Sequence, residues 1–117
     1  MNRIEQIKSN ALVSEKAIEA YLVKRVKELG GKCLKYANPS ETGYPDRLVI
    51  LPYRLAFWVE LKSYAKKPRP IQTKRINELR KLGQTVHVVS SREAVDYILS
   101  EAEQTMKLRK WKEEHIQ

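Results

Sequence analysis

Arg47-Leu48-Val49-Ile50-Leu51-Pro52-Tyr53-Arg54-Leu55-Ala56-Phe57-Trp58-Val59-Glu60-Leu61-Lys62 is the stretch that decides the fold. Its opening is an unbroken run of Leu, Val and Ile, and its return carries Phe57, Trp58 and Val59. Pro52-Tyr53-Arg54 can turn the chain between them. β-branched and aromatic side chains suit a pleated, half-buried surface, so the reading is two adjacent strands joined as a hairpin. Side chains alternate along a strand, which sends Glu60 and Lys62 to one face and Val59 and Leu61 to the other. Asp46 opens the first strand, and antiparallel pairing lays that opening beside Glu60 and Lys62. Two carboxylates and a lysine are therefore expected at one end of the sheet.

Working outward, Ser14 is a candidate N-cap for a helix over 15–29, whose Ile18, Leu22, Val26 and Leu29 recur at helical spacing until Gly30-Gly31. Lys32 to Ala37 reads as a short strand with Leu34 and Tyr36 on one face and Cys33 within it, and a loop over 38–43 follows. After the hairpin, the prolines of Ser63 to Pro70 predict a loop that exposes Lys66, Lys67 and Arg69. Ile71, Ile76, Leu79 and Leu82 give a helix closed by Gly83, and Thr85 to Val89 a fourth strand. Ser90 with Glu93 resembles a capping box ahead of a last stripe, Val95, Ile98, Leu99, Ala102 and Met106. The order αβββαβα predicts an α/β fold, a central mixed sheet flanked by helices. Residues 1–104 are read as one domain and 105–117 as a basic C-terminal helix or tail, with His115 disordered.

The 117 residues suffice for one core and are too few for two. Lys and Arg total 23 against 14 Asp and Glu, a formal charge of +9, which suits a polyanion such as nucleic acid or an anionic membrane. No run approaches the roughly 20 apolar residues of a membrane span, and Met1 to Asn10 lacks a signal-peptide core, so an intracellular protein is expected. A single cysteine excludes an internal disulfide, and no clustered Cys or His suggests zinc.

A carboxylate pair suits a hard cation such as Mg²⁺, which takes oxygen ligands and keeps several waters. Carboxylates alone repel DNA, whereas a cation between them can bind a phosphate oxygen and activate water. Lys62 can orient or deprotonate that water or meet developing charge. At about 100° per residue Glu15 falls on the apolar stripe of the first helix. It is either a solvated helix-end charge or a group reaching toward the metal; Glu19 lies on the stripe's edge and is less convincing. Read without a site, Asp46 is a turn residue and Glu60 with Lys62 a surface ion pair. The cations Lys66, Lys67, Arg69, Lys74 and Arg75 are either a solvated face or a track for phosphates. Trp58 is read as core beneath the site, with base stacking the alternative, and His87 as a core or sheet-edge histidine.

Pro45-Asp46 and Glu60-Leu61-Lys62 match the motif of the PD-(D/E)xK nuclease superfamily. More narrowly, the chain resembles a standalone VRR-NUC (virus-type replication-repair nuclease) domain. The match rests on Gly43-Tyr44-Pro45-Asp46-Arg47, Trp58-Val59-Glu60-Leu61-Lys62-Ser63, Gln72 opening the next helix, Gly83 before a Val-rich strand, and Ser90-Ser91-Arg92-Glu93. It covers residues 12–100. The resemblance implies Mg²⁺ or Mn²⁺ held by Asp46, Glu60 and the Leu61 carbonyl, with Glu15 matching the family's first-helix glutamate and Gln72 a glutamine near the site. It also implies a homodimer similar to Holliday-junction resolvases, acting on branched DNA in replication or repair, in a bacterial cytoplasm or phage-infected cell. The rivals are a flap-directed or restriction-type nuclease and a catalytically silent DNA-binding domain.

Overall fold

The computed structural model describes residues 2–4 and 13–116. Helix α1 spans Glu15–Glu28 and starts at Ser14, whose extended backbone lets its side-chain oxygen accept the Ala17 amide at 3.0 Å. Such a cap is worth about 1 kcal/mol. Four strands follow in the sheet order β1-β2-β3-β4: Lys32–Lys35, Arg47–Leu51, Leu55–Leu61 and Val86–Val89. The first three pair antiparallel, and β4 runs parallel to β3 because α2, Pro70–Lys81, carries the chain across. Helix α3 spans Arg92–His115. The sheet is thus mixed and flanked by helices, and from Glu15 onward the elements follow the order αβββαβα read from the sequence.

Strand alternation divides the side chains between two layers. Val49, Leu51, Phe57, Val59, Leu61 and Val89 join Ile18, Leu22 and Val26 of α1 and Val95, Ile98, Leu99 and Ala102 of α3 in the core. Each large apolar side chain buried there contributes roughly 1.5–3 kcal/mol. Cys33 packs at the edge of this cluster, and burial pushes its thiol pKa up. The opposite face carries Leu34, Ile50, Trp58, Glu60 and Val88, with α2 lying over the Glu60 end through Gln72. Leu34 and Ile50 remain 44% and 42% exposed.

Four details of the sequence reading change. The cap of α3 is Ser91, not Ser90: Ser91 has the extended backbone, and its oxygen accepts the Ala94 amide at 3.0 Å. Pro70 lies inside the first turn of α2, where a missing N–H costs nothing. Leu82 caps α2 and is 77% exposed instead of extending its apolar stripe, because the helix ends before the residue can turn inward. His115 is the last residue of α3, stacked on Trp111. The end of this helix is held by contacts distant in sequence. Tyr53 and Arg54 turn the β2–β3 hairpin with φ of 62° each. Arg109 of α3 donates to both of their carbonyls, at 3.0 and 2.9 Å, while Glu113 pairs with Arg54 at 3.0 Å. Among the described residues no helix is long and apolar enough to cross a membrane.

Candidate active site

The approach to the site is fixed by Gly43. At φ +95° it sits so close to α2 that an added Cβ would lie 2.9 Å from the Ile71 carbonyl. Only glycine accepts both conditions. Pro45 beyond it is buried, and Asp46 then enters β2 with its Oδ2 accepting the Leu61 amide at 2.9 Å. The carboxylate is thereby tied to the end of β3. Hairpin pairing sets Arg47 opposite Val59, which places Asp46 beside Glu60.

Glu60 is 1% exposed. Its Oε1 accepts from Gln72 Nε2 at 3.4 Å and lies 4.0 Å from Lys62 Nζ, while Oε2 has no hydrogen-bond partner among the described residues. Burial, then the neighbouring Asp46 carboxylate, push its pKa up to about 8, against a weaker pull from Lys62 and with a small further push from Glu15. A buried carboxylate with an unsatisfied oxygen is costly unless something positive or proton-donating meets it. Gln72 is buried too, and its Oε1 accepts the Arg69 amide at 2.8 Å. One side chain thus connects the start of α2 to Glu60.

Glu15, Lys16, Glu19, Lys35, Asp46 and Leu61 line a cleft of about 310 Å³ over this end of the sheet. The structure therefore brings Asp46, Glu60, Leu61, Lys62 and Gln72 together, with Glu15 across the cleft. Glu19, which the sequence reading set aside, lines the same cleft and is paired with Arg47 at 3.0 Å. Arg47 received no role from the sequence, although Glu19 stands one helical turn from Glu15 and so shares its side of α1.

Lys66, Lys67, Arg69 and Lys74 are exposed. Arg75 is engaged within the fold: it donates to the Thr42 carbonyl at 2.9 Å, pairs with Glu41 and Glu78, and sits over the Tyr44 ring. Trp58 meets Tyr36 edge to face with ring centroids 5.2 Å apart. His87 packs against Phe57 on the α3 side, where burial lowers its pKa.

The carboxylates and the orphaned oxygen fit a divalent cation. Among the described residues no three His, Cys, Asp or Glu side chains gather as a complete ligand set, so two carboxylates, main chain and water would have to serve. Mg²⁺ is commonly bound by one or two carboxylates with several waters retained.

No family model matches the chain. A curated protein of Acyrthosiphon pisum secondary endosymbiont phage 1, named "Putative nuclease p44", is 39% identical over 82 residues, which make up 70% of this chain and 88% of that protein. A solved structure described as "VRR_NUC domain" superposes with a TM-score of 0.70 at 36% identity, covering 74% of this chain and 94% of that one.

Proposed function

Since the chain belongs to the VRR-NUC family, we propose that it is a Mg²⁺- or Mn²⁺-dependent deoxyribonuclease that hydrolyses phosphodiester bonds in branched, junction-containing DNA. The observation that carries this reading is the buried Glu60 carboxylate, raised in pKa and unsatisfied at Oε2, beside Asp46. Asp46, Glu60 and the Leu61 carbonyl would hold the cation, with Glu15 reaching it through water. When bound, the cation supplies Lewis acidity toward the phosphate and lowers the pKa of water.

The protein's own groups divide the remaining work. The Leu61 amide holds Asp46 in orientation, and Gln72 does the same for Glu60. Lys62, 4.0 Å from Glu60, aligns the attacking water or offsets charge developing on phosphate, a role worth about 10²- to 10⁴-fold in rate. Lys66, Lys67, Arg69 and Lys74 bind the phosphate backbone, and Arg75 serves that surface by bracing the Thr42 loop. The nuclease unit is assigned to 1–104, and in the segment beyond it Arg109 and Glu113 brace the hairpin tip. A homodimer places two such sites on two strands, and the exposed Leu34 and Ile50 give it an apolar face. A phage relative accords with action in a bacterial cytoplasm or an infected cell.

The test is cleavage of junction, flap, fork, duplex and single-stranded DNA with Mg²⁺, Mn²⁺ or chelator. Four-way junctions are expected to be cut fastest and only with a cation. Preference for flaps or for one duplex sequence would move the assignment to those nuclease types. Binding without cutting under every condition would make the chain a silent DNA-binding domain.

A further inference from the structure

We propose that Arg47 and Glu19 form a latch that holds the first turn of α1 over the end of the sheet and thereby sets the position of Glu15. The proposal deepens the nuclease reading and rests on it. Arg47 follows Asp46 directly and, by strand alternation, faces α1. Its Nε meets Glu19 Oε2 at 3.0 Å and its Nη1 donates to the Cys33 carbonyl at 3.1 Å. One guanidinium therefore ties α1, β1 and β2 together at the point where β2 delivers Asp46. Both side chains are largely covered, at 16% and 23% exposure, so the pair is less screened than a surface bridge.

Glu15 and Glu19 stand one helical turn apart and line the same cleft as Asp46 and Leu61. Where the Glu15 carboxylate points depends on the backbone of that first turn, which Ile18 seats on the sheet by packing and Arg47 ties to it by a polar contact one turn on. The pairing has an electrostatic consequence as well. Without Arg47 the cleft would present Glu19 as a further carboxylate without its ion-pair partner, with only Lys16 and Lys35 of the lining left to offset it, competing for cations and repelling phosphate. Glu19 is thus a positioning residue, not a ligand. A planar fork with separated donors reaches a carboxylate and a carbonyl in different elements, which a lysine ammonium does less well.

A second tether of the same helix supplies the control. Tyr21 and Arg25 bind Asp96 of α3, further along α1 and away from Glu15. Asp96→Asn should loosen α1 without disturbing the cleft.

The experiment measures Mn²⁺ binding by calorimetry, the Mn²⁺ dependence of DNA cleavage, and thermal midpoints. Arg47→Ala and Glu19→Ala are expected to weaken Mn²⁺ binding on the order of tenfold. Asp96→Asn should lower the midpoint with Mn²⁺ binding unchanged. Glu19→Gln should behave nearly as the parent protein, because its amide oxygen still accepts from Arg47. Adding Glu15→Gln to Arg47→Ala should cost no further affinity, since both changes remove the same contribution. Should Arg47→Ala fail to fold, Arg47→Lys is expected to bind Mn²⁺ with intermediate affinity. Parental Mn²⁺ binding in the Arg47 variants overturns the latch, as do fully additive losses with Glu15→Gln. Equal damage from Glu19→Gln and Glu19→Ala makes Glu19 a ligand instead. A parent protein that neither binds Mn²⁺ nor cuts DNA overturns the nuclease reading itself, and the latch with it.

Discussion

Between its ordinary pKa of 4.5 and the value of about 8 that burial and Asp46 impose, the Glu60 carboxyl keeps its proton in the folded state and loses it in the unfolded chain. The folded state then binds the extra proton, so the Glu60 contribution to stability falls as pH rises through that window. In chelator, the thermal midpoint of the parent protein should therefore decline between about pH 5 and pH 8 more steeply than that of Glu60→Gln, which has nothing to ionise there. Mg²⁺ should raise the midpoint of the parent at the alkaline end and leave Glu60→Gln nearly unmoved, because a ligand stabilises only the state that binds it. Scanning calorimetry across pH measures both effects. Parallel pH profiles for the two proteins would mean that Glu60 is not the strained group.

The segment between β3 and α2 exposes Lys66, Lys67 and Arg69, and the Arg69 amide is joined through Gln72 to Glu60. Replacing the three cations with alanine should weaken DNA binding equally across sequences of one shape. It should also flatten the salt dependence by up to about three phosphate contacts' worth. Anisotropy titrations at several salt concentrations measure this, and unchanged slopes would leave the segment merely solvated. The hairpin beside it was legible in the sequence because alternation and a turn fix strand, face and register together, and the approach of Asp46 to Glu60 and Lys62 follows from those alone. Element ends were less legible. Ser90 and Ser91 are chemically equal as caps, and only the backbone of Ser91 makes it the cap. Leu82 fits an apolar stripe by spacing but falls just past the last helical turn. The helical run to His115 depends on Arg109 and Glu113 finding a hairpin tip more than fifty residues away. The Arg47–Glu19 pair likewise joins distant elements, and local pattern carries no sign of it.

The molecule is a slab, 52 × 42 × 21 Å, with helices α1 and α3 on one face of the sheet and part of the other face open. Leu34 and Ile50, diagonal to each other on adjacent strands of that face, offer apolar surface to a second copy, which would carry a second site for the opposite strand of a junction. Light scattering at micromolar concentration should give a dimer for the parent and a monomer for Ile50→Glu; a monomeric parent, with and without DNA, would remove the paired-site geometry. The proposed divalent-cation chemistry stands apart from that question, because it would depend on Asp46 and Glu60 within one chain. It is tested most directly by single-turnover cleavage of a four-way junction by Glu60→Gln in Mg²⁺, alongside DNA binding in chelator. Cleavage should be almost abolished while cation-free binding stays nearly equal below about pH 8, where Glu60 already holds its proton, and tightens only above it, where the ionised carboxylate would repel phosphate. Cleavage at the parental rate by Glu60→Gln would contradict the assignment.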